Sequence, residues 1–159
     1  SQGTTGKATA AVRKAFSSAN IIDLYVLEKA SDLQLKKATI AYKRELLDQI
    51  NIKKMLTDEI VVVDGLVRSL DLHVTIVIDK EHKNIEETIK AEVRNNILTF
   101  FNVDNMSFGQ TLYLSSITRA LIDINNVLYI KVDNLDSDIA IDFNEIIQLN
   151  NVVVNVDYA

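Results

Sequence analysis

Cysteine, proline and tryptophan are absent from the 159-residue chain, and glycine occurs four times. Without cysteine there are no disulfides and no thiolate metal ligands. With so few turn specialists, the chain has to bend on Asn, Asp and Ser, whose short polar side chains bond nearby backbone. The doublets Asn95-Asn96, Asn125-Asn126 and Asn150-Asn151 suit that role. No apolar run approaches the roughly 18 residues of a membrane-spanning helix, so no membrane partner is expected. No signal-peptide pattern opens the chain. The start, "SQGTTGKA", reads like a cut inside a longer protein. Basic residues are outnumbered by acidic ones, 17 to 22: the net charge is -5, and the longest basic clusters are Lys36-Lys37, Lys43-Arg44 and Lys53-Lys54. A nucleic-acid partner is therefore not expected.

Apolar residues are plentiful, at 48%, and a chain of this length can bury roughly 70% of its unfolded surface. Their spacing predicts the elements. Residues 8–19 are alanine-rich and helix-permissive, with Val12, Ala15, Phe16 and Ala19 on one face. "NIIDLYVLE" alternates as a strand. Ser31 or Asp32 is placed to cap a helix carrying Leu35, Ala38, Tyr42, Leu46 and Ile50. "DEIVVVDG" reads as a short strand. Leu70, Leu72, Val74, Ile76 and Ile78 then alternate with polar residues in the cleanest period-two pattern of the chain. Asn84 and Glu87 resemble a capping box, followed by a helical stripe from Ile85 to Phe100. After a turn at Gly109, Ser115 is placed to cap a short helix with Ile117, Leu121 and Ile122. "NVLYIKV" and "DIAIDF" read as strands, and "EIIQL-NN-VVVNVDY" as a hairpin turning on asparagines.

The expected fold class is α+β. A ferredoxin-like β-α-β-β-α unit is followed by a smaller α+β unit ending in a hairpin. The expected organisation is a lead-in helix over 1–19, a first unit over 20–110 and a second over 111–159.

Sites of chemistry are hard to find in this sequence. In "GTTGKAT" the glycines stand too close for a phosphate loop, and Ala8 follows Lys7 where a hydroxyl is needed. Asn134, Asp136, Asp138, Asp142 and Glu145 fall on ligand positions of a calcium loop, but the position that demands glycine holds Ile139. An acidic strand edge is the preferred reading. His73 and His82 lack partner ligands in sequence. No serine sits in a nucleophile-elbow motif, and Ser115 and Ser116 read as helix caps. No catalytic, cofactor or metal residues are assigned, and no enzymatic activity is expected.

Several segments nevertheless follow one another in a familiar order: "VRKAFSSANIIDLYVLE", "ELLDQINIKKMLTDEIVVVDG", "LDLHVTIVIDKEHKNIEETIKAEVRNNILTFFN", "FGQTLYLSSITRALIDINNVLYIKVDNL" and "EIIQLNNVVVNVDY". From about residue 10 to the end they resemble the baseplate J-like family of contractile phage tails, most closely its large baseplate wedge members from T-even-type phages. The resemblance implies a structural assembly module in the virion tail baseplate, assembled in the host cytoplasm. It implies other baseplate wedge proteins as partners, and a homodimer. Two apolar surfaces are candidate interfaces: Val12 and Phe16 on the first helix, and the Val152-Val154-Val156 edge of the last strand. The alternative is a soluble small-molecule-binding regulatory α+β domain, which would need a concave pocket with convergent polar groups.

Overall fold

The structure is a computed structural model that describes residues 6–13, 20–51 and 58–159. The chain is α+β, with two β-sheets and three α-helices among the described residues.

The first sheet is built on β2 (Asn20–Lys29). β1 (Gly6–Arg13) lies antiparallel to it, from Gly6↔Glu28 to Arg13↔Ile21. The expected lead-in helix is therefore not formed over 6–13. Alanine favours helix only weakly, and a full ladder against β2 outweighs that preference. Phe16 lies outside the described residues. On the other side of β2 come the two-residue β3 (Leu35–Lys36), antiparallel, and β4 (Asp58–Asp64), parallel. The crossover to β4 carries α1 (Ile40–Asn51), the helix that a parallel pair needs.

The helix begins later than its sequence suggests. Ser31 Oγ instead accepts the Leu33 and Gln34 amides at 3.4 and 3.1 Å, closing the turn between β2 and β3. Thr39 is the residue that caps α1, accepting from Tyr42 N at 3.1 Å. Leu35 and Ala38 are buried before the helix starts, and no residue of α1 is buried.

β5 (Leu66–Ile78) follows β4 after a single residue, Gly65. That spacing decides the topology. A hairpin needs about two loop residues or more, so β5 cannot fold back beside β4 and starts a second sheet. The ferredoxin-like order is thus not what forms, because strands expected in one sheet are divided between two. Glycine is required at 65 for space. A Cβ there would sit 2.5 Å from Cζ of Phe108 and 3.3 Å from Cγ of Leu27. β5 pairs with strands on the far side of the expected boundary at 110/111.

The second sheet has the order β6-β5-β7. β6 (Val127–Val132) runs antiparallel to β5, and β7 (Glu145–Tyr158) runs parallel to it along its whole length. The expected closing hairpin is a single strand. Its asparagine pair makes a bulge: Leu70 pairs with Leu149 and Asp71 with Asn151, leaving Asn150 as the extra residue. Asn150 Nδ2 donates to Asp71 Oδ1 at 3.0 Å. The bulge absorbs the extra residue, so Ile147, Leu149, Val152, Val154 and Val156 lie on one face despite the break in alternation.

α2 (Glu86–Phe100) and α3 (Leu114–Ile122) cover that face. Leu72, Val74 and Ile76 of the alternating run and Ile89, Val93 and Ile97 of the helical stripe are all buried, and His73 is exposed on the opposite face. Leu27 and Leu35 of the first sheet join the same core cluster. α2 is entered through a 3-10 turn, Lys80–Ile85, so Asn84 is not its cap. Asp79 caps that turn, its Oδ1 accepting from Glu81 N at 2.9 Å. Asn95 and Asn96 lie inside α2 rather than in a turn. Asn126 does turn the chain, at a φ of 69°. Gly109, at φ 71°, turns it before α3 and donates its amide to Glu145 O at 2.8 Å.

Candidate functional site

Three of the residues that looked like a calcium loop, Asn134, Asp138 and Glu145, have local structural duties for their side chains. Asn134 accepts from His73 N at 2.9 Å and donates to Asp71 O at 2.6 Å, extending the ladder of β5 past the end of β6. Asp138 Oδ1 accepts from Leu114 N at 2.9 Å and so caps α3 from a distance, a role the sequence suggested for Ser115. Glu145 Oε1 accepts from Asp142 N at 3.1 Å. Among the described residues, no three acidic or histidine side chains converge as a metal site.

The concave places are small or open. A recess of about 210 Å³ beside Tyr113 and Ser116 is lined by Phe100, Met106 and Leu112, with no acid or base in its wall. Drug-sized ligand sites start at roughly 300 Å³.

The surfaces are more informative. Val12 is 66% exposed on β1. The Val152-Val154-Val156 surface is not a surplus apolar face. Val152 is 4% exposed, and Val154 and Val156 are half-buried against the core. Their register partners Leu72, Val74 and Ile76 show why: these valines share the inner face of the sheet, beneath the helices. What β7 offers outward is its backbone edge.

An exposed apolar patch lies elsewhere, where α3 meets the edge strand β6. Ile122 and Leu128 are each 61% exposed and Tyr129 62%. With Thr118, Val127 and Ile130 they line a recess of about 140 Å³. Two irregularities place them there. The pairing of β6 with β5 shifts between Tyr129↔Val77 and Val127↔Ile78, which leaves Leu128 as a bulged residue at the strand's start. Tyr129 follows on the face of the sheet that no helix covers, in register with Val77 and Asp157.

The sequence carries a signal for this patch. Val127, Leu128, Tyr129 and Ile130 are four apolar residues in a row. A strand that alternates its side chains cannot turn all four into one core.

No family model matches this sequence, and no curated protein does. No helix among the described residues is long and apolar enough to cross a membrane.

Proposed function

We propose that this chain is a structural assembly module of a contractile phage tail baseplate, of the kind found in the baseplate J-like wedge proteins. In this reading it joins neighbouring wedge proteins and a second copy of itself through fitted surfaces, without chemistry of its own. The observation that carries the assembly role is the Ile122-Leu128-Tyr129 patch. Three large apolar side chains, each more than half exposed, stand together: Leu128 and Tyr129 on an edge strand and Ile122 at the end of the helix beside it. Contiguous exposed apolar surface of this kind marks contact sites on soluble proteins. An edge strand adds unpaired backbone groups that a partner can satisfy. The phage assignment rests on the segment order described above.

The test is sedimentation over a range of concentrations. The native chain should associate as concentration rises. Leu128→Glu should shift the equilibrium toward monomer by about tenfold or more, because burying an unpaired carboxylate at an interface is costly. Leu128 is exposed in the single subunit, so the substitution should leave thermal unfolding nearly unchanged. A native chain that stays monomeric at the highest concentration would remove self-association from the proposal. Antibody raised against the chain should decorate the baseplate end of contractile tails, and failure to decorate any tail would remove the phage assignment.

A further inference from the structure

The open edge of β7 is a second surface, and its chemistry differs from that of the β6 patch. β7 is the terminal strand of its sheet, and no described strand pairs with its outer side. Two hydrogen bonds show which groups face outward. Ala159 N donates to Ile78 O at 3.0 Å, so the odd-numbered residues at this end bond to β5. Val152 O points the other way and accepts from Arg94 Nη1 at 3.1 Å. The N–H and C=O of one strand residue lie on the same side, and successive residues alternate. The backbone groups of Val152, Val154 and Val156 therefore face the open edge, while their side chains enter the core.

Edges of this length are normally blunted by proline, lysine or a covering segment. Proline is absent from the chain, and β7 itself contains no lysine or arginine. The edge runs instead along a groove of about 410 Å³, whose other wall is α2. That wall presents Glu87, Lys90, Ala91 and Arg94. Ala91 is exposed and ends at its Cβ, leaving room above the strand. Lys90 and Arg94 stand one helical turn apart over the edge, and Glu87 approaches Lys90 only at 3.9 Å. The wall is thus net positive in a chain whose total charge is -5.

We propose that this groove docks an extended, carboxylate-bearing segment of a partner protein, which adds to β7 as a new edge strand. The backbone of Val154 and Val156 supplies the ladder. Arg94 and Lys90 select the carboxylate, and the guanidinium has donors to spare beyond the one on Val152 O. A second copy of this chain fits the site poorly. Pairing β7 with β7 across a two-fold axis would bring the two sets of Arg94 and Lys90 together, and like charges at an interface oppose association. The proposal rests on the assembly reading for its biological setting, but uses a surface separate from the β6 patch.

The test is a nuclear magnetic resonance titration of the whole chain with two capped peptides, one alternating valine and glutamate, the other valine and lysine. The glutamate peptide should shift the Val154 and Val156 amides and slow their exchange with solvent. Arg94→Glu should weaken that binding by about tenfold or more and reverse the preference toward the lysine peptide. Val154→Pro removes an outward donor without taking a bond from the β5 ladder, a position where proline is tolerated. It should abolish binding by the glutamate peptide while the spectrum of the remaining sheet persists. The proposal is overturned by any of three results. These are no shift at millimolar peptide, shifts at β6 instead of β7, and binding indifferent to the charge at position 94. Amide shifts at β7 that depend on protein concentration alone would give the groove to a second copy and also overturn it. Self-association lost in Leu128→Glu with peptide binding retained would show the two surfaces to be independent.

Discussion

Deleting Asn150 tests the bulge in β7. Leu149 and Val152 are three positions apart, and strict alternation would turn them to opposite faces. The bulge absorbs Asn150 as the extra residue, so both stay on the inner face. With Asn150 removed, the pairs Leu70↔Leu149, Asp71↔Asn151 and Leu72↔Val152 form a regular ladder, and the inner face is kept. What is lost is the bond to Asp71 at 3.0 Å, at a cost of about 0.5–1.5 kcal/mol. Asn150→Gly loses the same bond and keeps the residue count. Deleting Val153 is the contrast. Either the bulge is kept, and Val154 and Val156 turn outward while Asn155 and Asp157 turn inward, or the bulge is lost and Asn151 replaces Val152 in the core. Full burial of a valine contributes about 1.5–3 kcal/mol, and an unpaired polar group turned inward adds to the loss. That loss is a large share of the ~5–15 kcal/mol that holds an ordinary domain together. Urea unfolding followed by circular dichroism separates the variants: the Asn150 deletion should match Asn150→Gly, and the Val153 deletion should fall well below both. An Asn150 deletion as damaging as the Val153 deletion would refute the bulge reasoning.

Val74→Asp should prevent the second sheet from folding, since Val74 is fully buried between Val132 and Val154 and a dry unpaired charge costs several kcal/mol. His73→Asp, one residue away on the exposed face, should change the urea midpoint only slightly, and equal damage from both would refute the register. Tyr158 donates a short hydrogen bond to Glu86 Oε2, which holds its phenol up at about 12, with burial and the Glu86 charge adding to the effect. The folded state therefore favours the neutral phenol. Its contribution to stability is whole below about pH 10 and is lost as the pH climbs toward 12. Tyrosinate absorbance should show a latest-titrating group that moves down in Glu86→Gln, and an unmoved titration would refute the pairing.

Much of the second sheet was legible because a single periodicity governs it. From Leu70 to Ile78 every second residue is apolar, and the helical stripe from Ile89 to Ile97 packs on that face. The misreadings share a physical cause, which is that local pattern was overruled by pairing at a distance. "ATAAVR" is helix-permissive by composition, yet β2 offers it a complete ladder. The asparagine pair in β7 looked like a turn because it breaks alternation, and a bulge breaks alternation in the same way. Gly65 was read as the end of a strand, but the absence of any second loop residue was the feature that forbade a hairpin. Side-chain pattern alone does not separate an interface from a core. Val152, Val154 and Val156 are apolar and regular, and those are the properties that put them in the core. An exposed patch is found by asking which apolar residues exceed what one face can hold, a question that picks out Leu128 and Tyr129.

The two sheets also differ in how completely the chain covers them, and that difference bears on the proposed role. In the second sheet the inner face is roofed by α2 and α3, and the core is dry from Leu72 to Ile78. In the first sheet, Ile22, Leu24, Ile60 and Val62 share one face in register, and each remains half-exposed. Its helix contributes no buried residue. Polar contacts hold α1 at its start: Glu28 Oε2 accepts from Thr39 N at 3.0 Å, and Lys43 meets Asp64 at 2.9 Å. Each half-covered apolar side chain forgoes roughly 25 cal/mol for every Å² left in water. A free-standing ligand-binding domain gains nothing from leaving that stabilisation unused. An assembly module does gain, because the same surface is available to a neighbour, and covering it then contributes to association instead of to the fold of one subunit. A firmly packed second sheet with two reachable edges, joined through Gly65 to a first sheet that is only half covered, has the division of labour that the assembly proposal requires.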